Sequence, residues 1–508
     1  MRIITAARMM ELDRQTIEAG GISDLDLMER AAEALAERAM EYLERQTAPR
    51  AVVFCGTGNN GGDGLAAARL LHRSGVEIRA VLVGERDRMT QGCRAMEARL
   101  AAEGLRLEPF SDADPEFAVW ALNAGVFLDA LLGIGLTREA TEDFATAIHM
   151  MNSSDIPVVS ADIPSGVEAD TGRILGVAVQ ADATVTFTCP KVGHFVGKGQ
   201  ICTGSLTVAQ IGIDKALLDN LEWDTWSMAP EDVHLPHRAR DAHKGSFGRA
   251  CILGGSVGYS GAPVLAAKAA VRTGAGLVTL EVPAPIWPMV AEKMDVAMPY
   301  PLPSGKDGAL ALDSTEQALN RIAASDVALI GPGLSRTNGA GAVVRYILAH
   351  TEHPVVLDAD GINALEGHIN VLDDRRGLAT VLTPHDGEFA RLGGDLSSGD
   401  RLGAARTFAA EHGCVLVLKG HRTITAFPDG RAYINTTGNP GMAKGGSGDI
   451  LAGMIVSLMA QGLTIRQAVP AAVCLHGQAG DLAAEEFGEY GMSPSDLIRK
   501  IPLTTKRF

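Results

Sequence analysis

The chain has 508 residues, of which 46% are hydrophobic and 21% charged, and its formal net charge at pH 7 is −16. This composition is typical of a folded protein with two or three domains, and it excludes an intrinsically disordered chain. The negative charge argues against sequence-independent nucleic-acid binding, because that binding depends on Lys and Arg side chains that neutralise phosphates.

The cysteines and the apolar stretches bear on the cellular location. Seven cysteines, an odd number without C-x-x-C spacing, fit neither a disulfide framework nor a zinc site and indicate a reducing cytoplasm. The first 16 residues carry charges throughout, unlike a signal peptide. The longest apolar stretches, such as residues 450–460, are far shorter than the roughly 20 residues of a membrane helix. We therefore expect a cytoplasmic protein without a membrane or nucleic-acid partner.

The first half opens with a long amphipathic stretch, residues 6–44, and continues as short apolar strands separated by helical segments. The predicted strands are residues 51–55, 76–83, 126–132, 157–162 and 183–188. Nearly continuous apolar strands that alternate with helices predict a parallel sheet covered on both faces.

A glycine-rich loop, CGTGNNGGDG, follows the first predicted strand and opens a helix. Gly56, Gly58 and Gly61 match the G-x-G-x-x-G pattern of dinucleotide-binding dehydrogenases. However, the loop adds Asn and Asp side chains that a pyrophosphate turn does not need. Glu77, the nearest candidate for the ribose-binding acid, is not convincingly placed. The pattern therefore disfavours hydride transfer without excluding a nucleotide.

Two further polar segments, DALLGIGLTRE and SADIPSGVEADTG, lie near the ends of predicted strands. Asp129 and Asp162 lie towards the carboxyl ends of those strands, where open α/β sheets bind ligands. Asn60, Asp129 and Ser165 could together offer oxygen ligands to one hard cation. A single Asp at a strand end is more often a helix cap, but three such segments at matching strand ends favour a functional site.

The second half repeats the alternation of strands and helices. Its predicted strands lie in residues 250–255, 276–282, 326–333, 354–361, 380–385 and 414–420. Residues 214–244 lose the alternation, and we place the domain boundary near residues 222–231. The chain is thus predicted to form two doubly wound α/β domains, residues 1–222 and 228–508.

The most distinctive segment of the second half is TTGNPGMAKGGSGDILAG, in which glycines precede an apolar helix. Backbone amides at a helix N-terminus attract anions, so this segment predicts a phosphate site. Asp449 is unfavourable beside a phosphate unless it takes a proton from a hydroxyl that attacks a phosphoryl group. The segment therefore predicts phosphoryl transfer to a small alcohol, and a capped glycine turn is the alternative.

Several long motifs resemble two known families. Resemblance to the NAD(P)H-hydrate epimerase family rests on MRIITAARMMELDRQT, LMERAA, GNNGGDGLAAARLL, DALLGIG and DIPSG. Resemblance to the ADP-dependent NAD(P)H-hydrate dehydratase family rests on HKGSFGRACILGGSVGYSGAPVLAAKAAVRTGAGLV, GPGLS, LDADGIN, LTPHDGEFARL, KGHRT and GNPGMAKGGSGDILAG. The motifs cover nearly the whole chain in the order of a bifunctional repair enzyme. The resemblance implies two three-layer αβα domains, a Rossmann-like epimerase domain (1–222) and a ribokinase-like dehydratase domain (228–508).

For the first domain, the resemblance implies interconversion of the R and S forms of hydrated nicotinamide nucleotide, NADHX or NADPHX. It implies potassium ligands at Asn60, Asp129 and Ser165, and Asp162 is the candidate acid/base. The implied substrate contacts are Asn59, Asn60, Gly61, Gly62, Asp63, Gly133, Ile134, Gly135, Leu136, Thr137, Arg138, Glu139 and Asp162.

For the second domain, the resemblance implies dehydration of the S form to NAD(P)H with ADP as co-substrate, giving AMP and phosphate. Asp449 would deprotonate the ring hydroxyl as it attacks ADP, and magnesium is expected as a clamp on the polyphosphate. The implied S-hydrate contacts are Ala262, Gly333, His385 and Asp449. The implied nucleotide contacts are Lys419, Gly420, His421, Arg422, Thr423, Gly445, Gly446 and Gly448.

Other interpretations remain for some of these residues. His385 is equally compatible with a structural role, Lys419 with a strand-end lysine that keeps its charge in solvent, and Asp360 with a turn. Lys444 departs from the dehydratase pattern and either attracts phosphate or faces solvent. Asp358 and Glu388 are acids near the proposed site without an assigned role.

Two other functions are compatible with parts of the chain. One is a ribokinase-like small-alcohol kinase fused to a nucleotide-binding domain, which leaves the NNGGDG and DIPSG motifs unexplained. The other is a nucleotide sensor that binds at both sites without turnover, which leaves Asp449 and Asp162 unexplained. By analogy with related domains, we expect a homo-oligomer.

Overall fold

A computed structural model describes residues 1–19, 21–44 and 46–506. The chain divides into two compact units. The N-terminal unit comprises Arg2–Trp223 with Gly399–Arg401, and the C-terminal unit comprises Met1, Asp224–Ser398 and Leu402–Phe508. Each unit contains one sheet with helices, so the predicted α/β class with largely parallel sheets is confirmed.

The N-terminal unit has a seven-stranded parallel sheet in the order β3-β2-β1-β4-β5-β6-β7. Its strands are β1 (Arg50–Cys55), β2 (Glu77–Leu82), β3 (Leu107–Pro109), β4 (Val126–Ala130), β5 (Val158–Ala161), β6 (Ala183–Phe187) and β7 (Ser205–Ala209). Its helices are α1 (Ala6–Glu18), α2 (Asp24–Leu43), α3 (Asn59–Arg73), α4 (Gln91–Ala102), α5 (Pro115–Ala121), α6 (Glu142–Asn152), α7 (Gly199–Cys202) and α8 (Lys215–Asn220). The strand order reverses between β1 and β4, where such sheets bind ligands.

The amphipathic opening of this unit forms two helices rather than one. Thr5 caps α1 by accepting a hydrogen bond from the Arg8 amide, and Ser23 and Asp26 form a capping box at the start of α2. The five predicted strands are present, whereas β3 and β7 were not predicted. Both are edge strands, and β7 is only half-buried, so neither shows a continuous apolar run.

The C-terminal unit has a ten-stranded sheet in the order β11-β10-β9-β12-β13-β14-β15-β16-β17-β8, in which only β16 runs antiparallel to its neighbours. Its strands are β8 (Thr225–Met228), β9 (Arg249–Leu253), β10 (Leu277–Pro283), β11 (Met298–Leu302), β12 (Val327–Ile330), β13 (Val355–Leu357), β14 (Thr380–Leu382), β15 (Val415–Leu418), β16 (Ile424–Ala426) and β17 (Ala432–Asn435).

The helices of the C-terminal unit are α9 (Gly261–Thr273), α10 (Trp287–Glu292), α11 (Thr315–Ala323), α12 (Asn338–His350), α13 (Asp360–Asn363), α14 (Asp386–Arg391), α15 (Arg401–His412), α16 (Ser447–Ala460), α17 (Ile465–Gly491) and α18 (Pro494–Thr504). Helix α16 is buried on nearly all sides and packs against α9, α17 and the sheet. A helix that is apolar all round needs such an interior position, because it has no polar face to turn to solvent. The N-terminus of α16 is thereby held at the edge of the sheet.

The two units meet in sequence between Trp223 and Asp224. Residues 225–228, which lie in the stretch assigned to the boundary, form the edge strand β8 beside β17. Among the described helices, none combines the length and apolar character needed to cross a membrane. All seven cysteines are buried free thiols.

Candidate active sites in the two units

A cavity of about 660 Å³ lies at the carboxyl ends of the central strands of the N-terminal unit. One wall is formed by the loops after β1, β4 and β5, and the other by α1 and α2. The residues that line it include Met9, Asp13, Ile17, Asp24, Met28, Asn59, Asn60, Asp63, Gly133, Ile134, Gly135, Asp162 and Lys191. The cavity is therefore at the point of strand reversal, where the sequence places its polar segments.

The glycine loop brings the first turn of α3 to this cavity. Helix α3 begins at Asn59, and its N-cap residue Gly58 has no side chain to satisfy the first amides. A Cβ atom at Gly61 would lie 1.9 Å from the Gly56 carbonyl oxygen, so only glycine allows this tight turn. Asn60 lies against Gly133, whose Cβ position is 3.4 Å from Asn60 Cβ. The loops after β1 and β4 thus converge as predicted from their strand ends.

Asp162 occupies a left-handed backbone conformation, with φ of 63°, directly after β5. Its Oδ1 atom accepts hydrogen bonds from Lys191 Nζ at 2.5 Å and from Thr186 Oγ1 at 3.0 Å. Lys191 is fully buried, and its ammonium group also donates to Thr186 Oγ1 at 2.9 Å and to the Phe187 carbonyl at 3.3 Å. A buried ammonium is therefore paired with a carboxylate at the wall of the cavity.

His194 hydrogen-bonds to the backbones of both residues of this ion pair. Its Nδ1 atom accepts a hydrogen bond from the Lys191 amide at 3.0 Å, which leaves Nε2 to donate to the Asp162 carbonyl at 2.9 Å. Burial and the Lys191 charge lower the pKa of His194 to about 4, so the ring is neutral at physiological pH. The neutral imidazole thus holds the backbones of both paired residues.

Three more carboxyl groups face the same cavity. Burial and the neighbouring acids raise the pKa of Asp63 well above its usual value. Burial raises the pKa of Asp13 to about 6, although the Lys191 charge opposes this shift, and burial also raises the pKa of Asp24. The site therefore holds carboxyl groups with different proton affinities, as acid–base catalysis requires.

The proposed potassium ligands come together only in part. The buried Asp129 carboxylate accepts hydrogen bonds from Ser165 Oγ at 2.5 Å, Ser165 N at 2.9 Å, Ser160 Oγ at 2.7 Å and Leu131 N at 3.3 Å. These four bonds use its acceptor positions, so Asp129 here anchors the Ser165 loop. Asn60 differs, because its buried Nδ2 atom has no partner among the described residues. A 180° rotation of that amide would present an oxygen ligand instead.

We expect Lys191→Met to lower the free energy of unfolding of the N-terminal unit by about 3 kcal/mol, because it leaves the Asp162 carboxylate without its buried counter-charge. Urea denaturation of the full-length protein measures this loss. Lys198→Met, at an exposed lysine seven residues further on, is the control and should unfold like the wild type. A Lys191→Met midpoint equal to that of the control would contradict the interpretation of the ion pair.

The C-terminal unit gathers its polar residues at one edge of its sheet. Asp358 follows β13, His385 lies just after β14, and Lys419 follows β15, so the carboxyl ends of three parallel strands supply them. The strand order reverses between β9 and β12. There the Cβ position of Gly333 is 3.3 Å from Ala262 Cβ. The two predicted substrate contacts Ala262 and Gly333 thus lie together at the point of strand reversal.

Lys419 is surrounded by acids. Its ammonium lies 2.9 Å from Asp358 Oδ1 and 3.8 Å from Glu388 Oε2. Burial tends to lower the pKa of Lys419, but the Asp358 and Glu388 carboxylates outweigh it and raise the pKa, which keeps the ammonium charged. A Cβ atom at Gly448 would lie 3.2 Å from Lys419 Nζ. The positive charge therefore sits beside the N-terminus of α16 and does not extend into solvent.

Asp449 belongs to the first turn of α16. Burial and the Asp358 carboxylate raise its pKa to about 7, although Lys419 lowers it and Asp360 and Glu388 raise it further. The N-cap residue Gly446 has a φ of 107°, and no side chain caps the helix. The Ser447 amide donates to the Lys444 carbonyl, so it is the amides of Gly448 and Asp449 that are available to an anion, next to a carboxyl group whose pKa lies near neutral.

The glycine segment before α16 is anchored to α17. The Asp481 carboxylate accepts hydrogen bonds from the Gly438 amide at 2.9 Å and from Asn439 Nδ2 at 3.0 Å. Lys444 Nζ donates to the carbonyls of Tyr490, at 2.8 Å, and Met492. Lys444 is exposed, as the solvent-facing interpretation expects, and its ammonium group is directed to these carbonyls instead of to the phosphate site. It fastens the segment to the end of the neighbouring helix.

His385 has a structural role of its own. Its Nδ1 atom accepts hydrogen bonds from the Gly387 and Glu388 amides at 3.0 and 3.3 Å, which caps α14. Glu388 Oε2 in return accepts from the His385 amide at 2.9 Å. The imidazole is nevertheless about half exposed, so its outer edge remains available to a ligand.

The predicted site residues differ in where they lie. In the N-terminal unit, Gly133, Ile134 and Gly135 line the cavity, whereas Gly61, Gly62, Leu136, Thr137, Arg138 and Glu139 do not. In the C-terminal unit, Lys419 lies among the acids, and Gly420, His421, Arg422 and Thr423 form the turn from β15 to β16. Asp360 accepts a hydrogen bond from the Ser335 amide at 2.8 Å, which joins it to the Gly333 loop.

Some residues of the two sites were not predicted. Lys191, His194, Asp13 and Asp481 contribute to them through contacts between distant segments. Lys191 follows the β6 strand by four residues, so the reasoning applied to the strand-end Lys419 could have indicated it. Glu77 is at the opposite edge, because it pairs with Arg50 at the start of β1. It cannot bind a ribose at the glycine loop, which agrees with the expectation that the chain is not a dehydrogenase of the G-x-G-x-x-G type.

Comparison with known proteins gives matches to both halves. Residues 24–193 match the family described as YjeF-related protein N-terminus, and residues 250–503 match the family described as NAD(P)H-hydrate dehydratase. The bifunctional NAD(P)H-hydrate repair enzyme Nnr of Moorella thermoacetica is 40% identical over 514 residues, covering 99% of this chain and 96% of that protein. Its namesake from Salinibacter ruber is 38% identical over 523 residues, covering 100% and 96%. A ribokinase-like superfamily protein from Enterococcus faecalis, of known structure, is 29% identical with a TM-score of 0.49 and covers 56% of this chain and 96% of that one.

Proposed function

We infer the function from one premise, which is that this chain belongs to the family of bifunctional NAD(P)H-hydrate repair enzymes. We propose that the N-terminal unit interconverts the R and S forms of NADHX and NADPHX, and that the C-terminal unit converts the S form to NAD(P)H at the expense of ADP. The observation that carries the proposal is the buried Asp449 beside an uncapped helix N-terminus. A small-alcohol kinase is not favoured, because it gives the cavity of the N-terminal unit no role.

In the C-terminal unit, the terminal phosphoryl group of ADP would lie against the first amides of α16, with Lys419 adding positive charge. Asp449 takes the proton of the ring hydroxyl while the hydroxyl oxygen attacks the terminal phosphorus of ADP, and AMP leaves. Phosphate then leaves from the ring, because it is a far better leaving group than hydroxide. Loss of a ring proton completes the elimination and restores NAD(P)H.

Magnesium is part of this proposal, and the donor set fits it. Asp358 and Glu388 lie 2.9 and 3.8 Å from the Lys419 ammonium, which is beside Gly448 in the first turn of α16, and Asp360 is a third carboxylate whose charge acts on Asp449. No group of three or more His, Cys, Asp or Glu residues suited to a metal is preassembled in the described part of the chain. Magnesium characteristically uses one or two carboxylates together with substrate phosphates. When bound, it would neutralise charge on the polyphosphate.

In the N-terminal unit, Asp162 would exchange protons with the hydroxyl of the hydrated ring carbon. Lys191 keeps the Asp162 side chain in place, and the amides at the start of α3 face the anionic part of the substrate. Potassium fits less completely, because Asp129 is already satisfied by protein donors, while Asn60 has a buried unpaired amide. When bound, potassium would supply positive charge beside the substrate.

Recovery of NADH absorbance tests the proposed function. The full-length protein is incubated with mixed R and S NADHX, magnesium and potassium, with and without ADP. Full recovery that requires ADP is the expected result, since both forms must pass through the dehydratase. Recovery of the S fraction alone would remove the epimerase from the proposal, and no recovery with ADP or ATP would overturn it.

We expect the kcat/KM of the dehydration to rise with pH through about 7 and then to level off. The free enzyme must hold Asp449 as a carboxylate to accept a proton, and its pKa is raised to about 7, so the active fraction grows from pH 6 to pH 8. Initial rates with pure S-NADHX measure the profile. A rate already constant between pH 5 and pH 8 would show that Asp449 is not the base.

Cytoplasmic location and homo-oligomer formation belong to the same proposal. The seven buried thiols are compatible with a reducing compartment, and the oligomer rests on analogy with related domains. Light scattering on the purified full-length protein, which gives its mass in solution, tests the oligomer. A mass of about one chain, 53.2 kDa, would contradict it.

A further inference from the structure

Asp13 is a carboxyl group of the N-terminal cavity that has no role in the function proposed above. Asp13 lies on α1 one turn from Met9 and one turn from Ile17, and all three line the cavity. Its Oδ1 atom is buried and lacks a hydrogen-bond partner among the residues described. A buried acceptor without a partner is destabilising, and a protein tolerates it where a ligand supplies the partner.

Asp13 and Asp162 belong to different walls of this cavity. Asp13 comes from the helix that covers the sheet edge, whereas Asp162 follows β5 within the sheet. A flat ring bound between the two walls would turn one face to α1 and the other to the strand ends. The cavity therefore offers one carboxyl group to each face of the substrate ring.

The charges around Asp13 come from three other elements. Asp162 and Lys191 face it from the strand ends, Asp24 from α2 and Asp63 from α3. Burial is the largest effect, the Lys191 charge opposes it, and together they place the pKa of Asp13 at about 6. Both the acid and the carboxylate form are thus populated near neutral pH.

Epimerisation by loss and re-addition of water needs a proton-transfer group on each face of the ring. The hydroxyl leaves from one face and water returns to the other, so a proton must be given on one side and taken on the other. We propose that Asp13 is the second catalytic residue of the epimerase site and transfers protons on the ring face opposite Asp162. This inference rests on the proposed epimerase function.

The step balances with these two residues alone. Protonated Asp13 gives its proton to the hydroxyl, the C–O bond breaks, the ring nitrogen lone pair forms a C=N bond and water leaves. Water then adds to the same carbon from the other face, the C=N electrons return to nitrogen, and the Asp162 carboxylate accepts the released proton. The reverse sequence converts the other epimer, and solvent restores the protonation states.

The test uses the full-length protein with pure R-NADHX, ADP and magnesium, so that NADH forms only after epimerisation. Asp13→Asn keeps the shape but cannot transfer protons, and we expect an epimerisation rate about 10²-fold lower with a KM within about threefold. The rate with S-NADHX should be unchanged. Glu37→Gln, at an exposed acid of α2, is the matched control and should behave as wild type.

The pH profile separates catalysis from a structural role. Measured chromatographically as R-to-S conversion without ADP, wild-type epimerisation should fall as pH rises above about 6, because Asp13 must be protonated to release the hydroxyl, and Asp13→Asn should lose this decline. Asp13→Glu should recover at least about tenfold over Asp13→Asn with a shifted decline. If Asp13→Asn does not fold, the pH profile of Asp13→Glu is the test. A decline of its epimerisation rate at the same pH as in the wild type overturns the inference.

The outcomes distinguish a failure of the role of Asp13 from a failure of the proposed epimerase function. The role of Asp13 is overturned, and the epimerase function is kept, if the wild type converts R-NADHX and the rate of Asp13→Asn stays within threefold of the wild-type rate at every pH. Wild type that cannot convert R-NADHX but dehydrates S-NADHX overturns the epimerase and this inference together.

Discussion

Replacement of Asp449 by asparagine is expected to lower the kcat of the ADP-dependent dehydration about 10³-fold. The amide keeps the size of the side chain, but it cannot accept the proton of the ring hydroxyl. Asp449 also lies in the first turn of α16, where its negative charge opposes a phosphate. Its removal should therefore leave the KM for ADP unchanged or lower it, so the loss appears in kcat.

Single-turnover conversion of S-NADHX, with ADP in excess, measures this loss. Asp295→Asn, at an exposed aspartate of the same unit, is the control and should retain the wild-type rate. Conversion of R-NADHX to S-NADHX, followed chromatographically without ADP, should be unaffected by Asp449→Asn because it takes place in the other unit. A kcat reduced less than about tenfold would reject Asp449 as the base.

The second large effect is expected from Asp162→Asn, which should lower the rate of epimerisation about 10³-fold. The amide cannot accept a proton, and it leaves the fully buried Lys191 ammonium without a counter-charge. The same change should lower the free energy of unfolding by about 3 kcal/mol, as expected when one partner of a buried ion pair is removed. Dehydration of S-NADHX should continue at the wild-type rate.

A double-mutant cycle with Lys191→Met distinguishes the two effects of Asp162→Asn. If the ion pair is the source of the lost stability, the double variant should lose less than the sum of the single losses, because no buried charge is left unpaired. Urea denaturation gives the stabilities, and the R-NADHX assay gives the rates. Additive losses of stability would show that the two side chains act independently, against the 2.5 Å contact between them.

Much of both sites could be predicted because a parallel sheet brings strand ends together. Asp129 and Ser165 are 36 residues apart, yet they share hydrogen bonds because β4 and β5 are neighbours. The same rule applies to Asp358 and Lys419, which are 61 residues apart in sequence. Hydrophobic runs locate such strands, and their carboxyl ends form one edge.

Where strands were missed, their sequences lacked a strong local signal. Strands β8, β16 and β17 have three or four residues each, and β11 contains two prolines, so none stands out as an apolar run. Strand β11 is one edge of the C-terminal sheet, and β16, β17 and β8 extend the sheet beyond β15 at the other edge. None of these strands supplies the carboxyl groups around Asp449. The prediction of the C-terminal site therefore did not depend on them.

Local pattern alone was sufficient for the α/β class, for the glycine turns before α3 and α16, for Asp449 as a candidate proton acceptor and for Asp162 as a strand-end residue, whereas the proton-transfer role of Asp162 came from the family resemblance. These features depend on residues close in sequence, namely an apolar run, a glycine where backbones crowd together and an acid at a strand or helix end. The partners of those acids depended on packing. Lys191 reaches Asp162 only because two strands align, and Asp13 faces the cavity only because α1 covers the sheet edge. Burial there sets charge and proton affinity, and burial is a property of the assembled core.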